Sequence, residues 1–124
     1  MPPSRAAHYV VEIFHSLNRG ECAIVDAGCG EGRDTLFLLK RGSHVLAIDV
    51  CDRNLRMLSR MAEAKGIVQK LLDRVMADIV QGIPIEDSSV DAILDVWLLG
   101  SVILPHDGRA GAEQYLAEVQ RILK

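Results

Sequence analysis

Apolar residues fall along the chain in two alternating patterns. Four short runs end in a carboxylate: Cys22-Ala-Ile-Val-Asp26, Val45-Leu-Ala-Ile-Asp49, Arg74-Val-Met-Ala-Asp78 and Ala92-Ile-Leu-Asp95. Between and around them, apolar residues recur at helical spacing. Val10, Ile13, Phe14 and Leu17 predict a first helix, with Ser4 as its cap and Gly20 as its stop. A second helix is expected from about Asp34 to Arg41, ended by Gly42. A third carries Leu55, Leu58 and Met61 on one face and stops at Gly66. A last helix presents Leu116, Val119 and Leu123 inward.

Short buried strands separated by helices predict βαβ units and a parallel sheet. Right-handed crossovers then wind the chain into a three-layer, Rossmann-like α/β domain, with residues 1–124 forming one unit. In such sheets ligands bind beyond the carboxyl ends of the strands. Asp26, Asp49, Asp78 and Asp95 all fall there, and four carboxylates at four strand ends are the central feature of the sequence.

Composition narrows the reading. An apolar share of 49% and a charged share of 25% suit a globular domain. The net charge of −3 carries no basic run, so no electrostatic footprint for nucleic acid stands out. No apolar run approaches the roughly 20 residues that a membrane-spanning helix needs. Cys22, Cys29 and Cys51 form no CxxC pair and read as reduced thiols, which implies a cytoplasmic protein. His8 and His15 stand seven residues apart, too far for a paired metal site, and no metal is expected.

The sharpest segment is Asp26-Ala-Gly28-Cys29-Gly30-Glu-Gly32, between the first strand and its helix. Glycines here allow a tight turn and close approach to a ligand, and the following helix offers free N–H groups to an anion. A ligand-free strand-to-helix turn is the plain alternative. A nicotinamide-dinucleotide site is another, although Arg33 occupies the place where G-x-G-x-x-G wants a small residue. A phosphate-binding P-loop is excluded, because no Gly-Lys-Ser/Thr follows.

Asp-Ala-Gly-Cys-Gly-Glu-Gly resembles the first motif of class I S-adenosylmethionine (SAM) dependent methyltransferases, an acidic residue followed by x-G-x-G-x-G. Asp49 stands where that family keeps its ribose-binding carboxylate. Ala77-Asp78-Ile79 is similar to its adenine-contacting stretch. The segment from Gly82 to Asp91 resembles its approach to strand four, and Leu116–Lys124 its "E-RvLk" helix. The likeness spans residues 22 to 124 and is greatest to the small-molecule branch.

The resemblance implies SAM as cofactor, S-adenosylhomocysteine as product and a small-molecule acceptor. It places the backbone of Gly28, Cys29 and Gly30 on the cofactor and Asp26 near its amino-acid end. By the same likeness Asp49 accepts from the ribose hydroxyls, and Val50 packs on the adenine. Asp78 would accept from the adenine amino group, and the Ile79 amide would donate to a ring nitrogen. Asp95 faces the methionine end and the acceptor. Catalytic candidates are Asp95 and His106, the latter on an expected loop after strand four. Cys29 and Cys51 read as space-fillers rather than nucleophiles, Asp91 as a strand-start cap, and Trp97 as either a pocket wall or a core residue. A SAM-binding or sensing module without turnover remains open. The family's sheet runs 3-2-1-4-5-7-6, and only its first four strands are present, so the last strands are missing; the chain is expected to be truncated at its C-terminus, with a partner chain that completes the sheet or a module without turnover as the alternatives. Strand four is therefore expected at an edge, to be covered by self-association, by a sheet-completing partner, or by residues 97–108 folding back.

Overall fold

The computed structural model describes residues 2–17 and 22–124. Its elements are α1 (Arg5–Ser16), β1 (Ala23–Ala27), α2 (Arg33–Lys40), β2 (His44–Asp49), α3 (Asp52–Ala64), β3 (Leu71–Met76), β4 (Ala92–Asp95) and α4 (Leu104–Ile122). Short 3-10 turns occupy Val68–Lys70 and Ile79–Gln81, and a π-helical turn occupies Leu99–Ile103. The four strands are parallel in the order β3-β2-β1-β4. This is the expected doubly covered α/β sheet.

Side-chain alternation along β1 divides the core. Ile24 joins Leu38, Val45, Leu58 and Leu94 under α1, α2 and α3. Val25 and Ala27 point the other way, to Ile48, Tyr115 and Ile122 beneath α4. Both faces of the central strands are dry, which is why these strands are apolar without alternation. Truncating a fully buried side chain such as Leu38 (0% exposed) to alanine would cost about 2–5 kcal/mol.

Local chemistry sets the helix boundaries. Ser4 Oγ accepts from the Ala7 amide and caps α1. The same residue donates to Asp34 through both its amide (2.7 Å) and its hydroxyl (2.8 Å), tying α1 to the first turn of α2. The expected stop of α1 at Gly20 lies outside the described residues. Asp91 holds the start of β1 by accepting from the Ala23 amide at 2.8 Å. The segment before β4 is stapled to α4: Arg121 donates to the carbonyls of Ile83 and Ile85, and Glu118 accepts from the Ile83 amide.

Several sequence expectations shift. The first helix turns Ala7, Val10 and Phe14 toward the core, whereas Ile13 and Leu17 are more than half exposed. Met61 is exposed at 39% while Ala62 takes the core position. Tyr115 and Ile122 form the inner face of α4, and Leu116 faces out. β3 ends at Met76, so Asp78 follows the strand by two residues and caps the next turn. Residues expected as a loop after strand four are instead helical from Leu99, with one break at Gly108. Pro105 belongs to the first turn of α4, where its missing N–H costs nothing, so the proline starts a helix here and does not mark a loop. Among the described residues no strand pairs with the outer edge of β4. Just before β4, Val90 forms a parallel bridge with Leu123, and the Val90 carbonyl accepts from the Lys124 amide at 3.0 Å.

Candidate functional site

The glycine loop is held from the end of β2. Gly28 and Cys29 amides donate to the Ile48 carbonyl at 2.8 and 2.9 Å, and the Gly30 amide donates to Asp49 Oδ2 at 2.7 Å. Asp49 Oδ1 accepts from the Cys51 amide at 2.8 Å. Each carboxylate oxygen keeps a further lone pair, so Asp49 can still accept from a ligand. Gly30 has φ of +56° and no protein atom within 4 Å of where a Cβ would stand, so its open side faces free space. Gly32 is different: a Cβ there would meet Leu58, and its φ of +88° starts α2. Its glycine is needed for packing.

Two cavities meet at Gly28. One, of about 260 Å³, lies over the carboxyl ends of β2 and β3. Asp49, Val50, Asp78 and Ile79 line it from the side the sequence indicated. Leu98, Val102, Ile103 and Asp107 form the opposite wall, and these four escaped the sequence reading. Val50 is two-thirds exposed at 67% and presents its apolar side chain to this cavity. Asp78 also accepts from the Val80 amide at 3.2 Å, which orients its carboxylate.

The other cavity, about 240 Å³, lies beyond the end of β1 and is lined by Asp26, Cys29, Glu31, Asp34 and Trp97 among others. Asp26 is 4% exposed and accepts from Thr35 Oγ1 at 2.6 Å. Burial pushes its pKa up to about 6, against the lowering pull of the Thr35 bond, with Asp34 adding repulsion. Trp97 is 78% exposed and adopts φ of +73°, a conformation costly for a bulky side chain. It is therefore a cavity wall and not a core residue. Burial, with Asp26 and Asp49 nearby, raises the Cys29 thiol far above its usual range, so it is no nucleophile.

The two catalytic candidates lie elsewhere. Asp95 Oδ1 accepts from the Leu98 and Leu99 amides, and Oδ2 accepts from the Tyr115 hydroxyl at 2.7 Å. Tyr115 is 1% exposed, and burial together with this bond drives its hydroxyl strongly toward the protonated form. Asp95 thus fastens the roof segment 97–103 to β4 and α4. His106 is an exposed residue in the first turn of α4 and lines neither cavity. No group of three or more His, Cys, Asp or Glu suited to a metal occurs among the described residues.

A glycine turn after β1, a carboxylate after β2 and a divided cavity above the strand ends define an adenosyl- or nucleotide-binding α/β domain. Residues 25–124 match the methyltransferase-domain family, and the chain belongs to it. Its fold is that of the class I SAM-dependent methyltransferases. Phosphoethanolamine N-methyltransferase 1 of Triticum aestivum is 34% identical over 77 residues, which cover 61% of this chain and 15% of that protein. The SAM-dependent Diels-Alderase iccD of Talaromyces variabilis is 28% identical over 103 residues, 82% of this chain and 32% of that one. Among solved structures, the 1,6-didemethyltoxoflavin-N1-methyltransferase of Burkholderia thailandensis, with bound S-adenosylhomocysteine, superposes with a TM-score of 0.70. That match has 23% identity and covers 97% of this chain and 48% of the other. The chain spans less than a third of the curated relatives it matches and about half of that structure.

Proposed function

We propose that this chain is a single domain that binds SAM and serves methyl transfer to a small-molecule acceptor. The observation that carries this reading is the pair of cavities joined at Gly28, one with a ribose-type acceptor in Asp49 and one lined by Asp26, Glu31 and Asp34, with Arg33 beside them and paired to Asp34. Adenosine fits the first, between Val50 and the wall made by Leu98 and Ile103. The cationic methionine portion fits the second, near Asp26 and Asp34. The amides of Gly28 and Cys29 are spent on Ile48, so the loop contributes its shape and its open side at Gly30 rather than those donors.

SAM supplies an activated methyl carbon: the S–CH3 bond breaks with its electrons going to sulfur, and an acceptor lone pair forms the new bond. The protein's part is to aim the acceptor and exclude water. Trp97 and Glu31 stand at the mouth of the second cavity and are the residues placed to do both. The acceptor's proton leaves to solvent or to an acidic side chain of that mouth. The reduced state of all three cysteines fits a cytoplasmic setting.

A second reading has specific support. One relative is named for a SAM-dependent Diels–Alder reaction, so a SAM-binding domain of this type can serve chemistry other than methyl transfer. Incubating the chain with methyl-labelled SAM and fractionated small-molecule extracts separates the two. Label appearing in a small molecule together with S-adenosylhomocysteine supports methyl transfer. Tight SAM binding with no labelled product in any fraction favours the second reading.

A further inference from the structure

The outer surface between α2 and α3 carries a third groove, of about 420 Å³, larger than either cavity and sharing only Glu31 and Arg33 with the one beyond β1. Its volume lies within the range of small-molecule sites, about 300–1,000 Å³. Leu36 and Phe37 form one wall, and Met57 and Met61, one helical turn apart, form the other. The methionines stand outside the buried face of α3, which is made by Leu55, Leu58 and Ala62: Met57 and Met61 remain 38% and 39% exposed. Methionine side chains adapt readily to an irregular or flexible apolar ligand.

The rim has a polarity. Lys40 at the end of α2 and Lys65 just after α3 flank the same end of the groove, and both are exposed. Among the described residues neither forms an ion pair. At the other end stand Glu31 and Arg33, with Arg33 already paired to Asp34 at 3.3 Å. The local excess of cations runs against the chain's net charge of −3. The eight residues of α2 give the trough a length of about 12 Å.

We propose that this groove binds a single-chain anionic amphiphile, a fatty-acid-like molecule. Its apolar chain lies between Leu36–Phe37 and Met57–Met61, and its anionic head meets Lys40 and Lys65. A concave trough between two helices receives one chain and not the flat face of a bilayer. Glu31 and Arg33 also line the cavity beside Gly28, so this end of the groove adjoins the candidate reaction site. The proposal does not depend on methyl transfer, because binding is read directly.

Calorimetric titration with decanoate, below its micelle concentration, tests it. Saturable one-to-one binding is expected, about tenfold weaker for octanoate, which has two fewer methylenes. Decylammonium should bind far more weakly. The exposed pair Lys40→Glu with Lys65→Glu should weaken decanoate about tenfold with an unchanged circular dichroism spectrum. Met61→Gln, on the floor, should weaken it independently of charge. Equal binding of decylammonium and decanoate, or unchanged decanoate affinity in the folded lysine variant, overturns the proposal. Sedimentation with anionic phospholipid vesicles that decanoate fails to compete would also overturn it, by assigning the surface to a membrane.

Discussion

Asp49 Oδ2 accepts from the Gly30 amide at 2.7 Å, so the carboxylate that ends β2 also fixes the loop that follows β1. On the proposed reading one side chain has two duties, holding the loop and offering its remaining lone pairs to a ribose. Asp49→Ala removes charge-assisted hydrogen bonds worth about 1.5–3 kcal/mol, and SAM affinity should fall by about one to two powers of ten. Calorimetry on the folded variant checks this. Undiminished affinity would place the ribose elsewhere.

The Asp26 carboxyl is pushed up to about 6 mainly by burial, so on the proposed reading SAM binding should depend on pH. Its proton is held more tightly in the folded chain than in the unfolded one. The ligand-free fold should therefore lose stability as pH rises from about 4 to about 6, by about 3 kcal/mol at most, and then level off. A bound cation favours the ionised form. SAM affinity should rise with pH below about 6, by at most about tenfold per pH unit, and flatten above it. The dependence should vanish in Asp26→Asn. A rise that persists in that variant assigns it to another group.

Much of this arrangement was legible in the sequence because its cause is local. Runs such as Val45–Asp49 reveal strands because both faces are buried, and the glycine loop announces itself by residues that tolerate positive φ. What escaped was tertiary. The wall made by Leu98, Val102 and Ile103 depends on a π-helical turn that begins only because Asp95 accepts from the Leu98 and Leu99 amides. Nothing in the spacing of Leu-Leu-Gly-Ser-Val-Ile announces that bond. Met61 and Ala62 exchanged places for a similar reason: the helical stripe fits either, and contact with the sheet decides.

Tyr115 secures that roof through Asp95. In Tyr115→Phe the Asp95 oxygen loses its 2.7 Å partner, and the loss of a hydrogen bond to a charged group costs about 1.5–3 kcal/mol. Thermal unfolding should drop by several degrees, and SAM affinity should fall as the Leu98–Ile103 wall loosens. Equal unfolding temperatures for the two proteins would mean the bond contributes nothing to the roof.

Among the described residues no strand pairs with the outer edge of β4, and Trp97 and Val102, in the segment after it, keep exposed apolar side chains. Edges of this kind recruit another strand. The 124-residue chain should therefore self-associate, with its mean mass in light scattering rising with concentration. A monomer throughout the range would contradict this. Residues 97–108 form no strand against that edge; they turn through Leu99–Ile103 into α4.

The central claim is that the cavities joined at Gly28 hold SAM. Thermal denaturation of the chain with SAM, S-adenosylhomocysteine, NAD(H) and NADP(H) in parallel tests it most directly. Ligand at about 100 times its dissociation constant stabilises the fold by about 2.7 kcal/mol. SAM and S-adenosylhomocysteine should each raise the transition temperature by several degrees while the nicotinamide dinucleotides leave it unchanged. Stabilisation by NAD(H) or NADP(H), with none by SAM, would contradict the account.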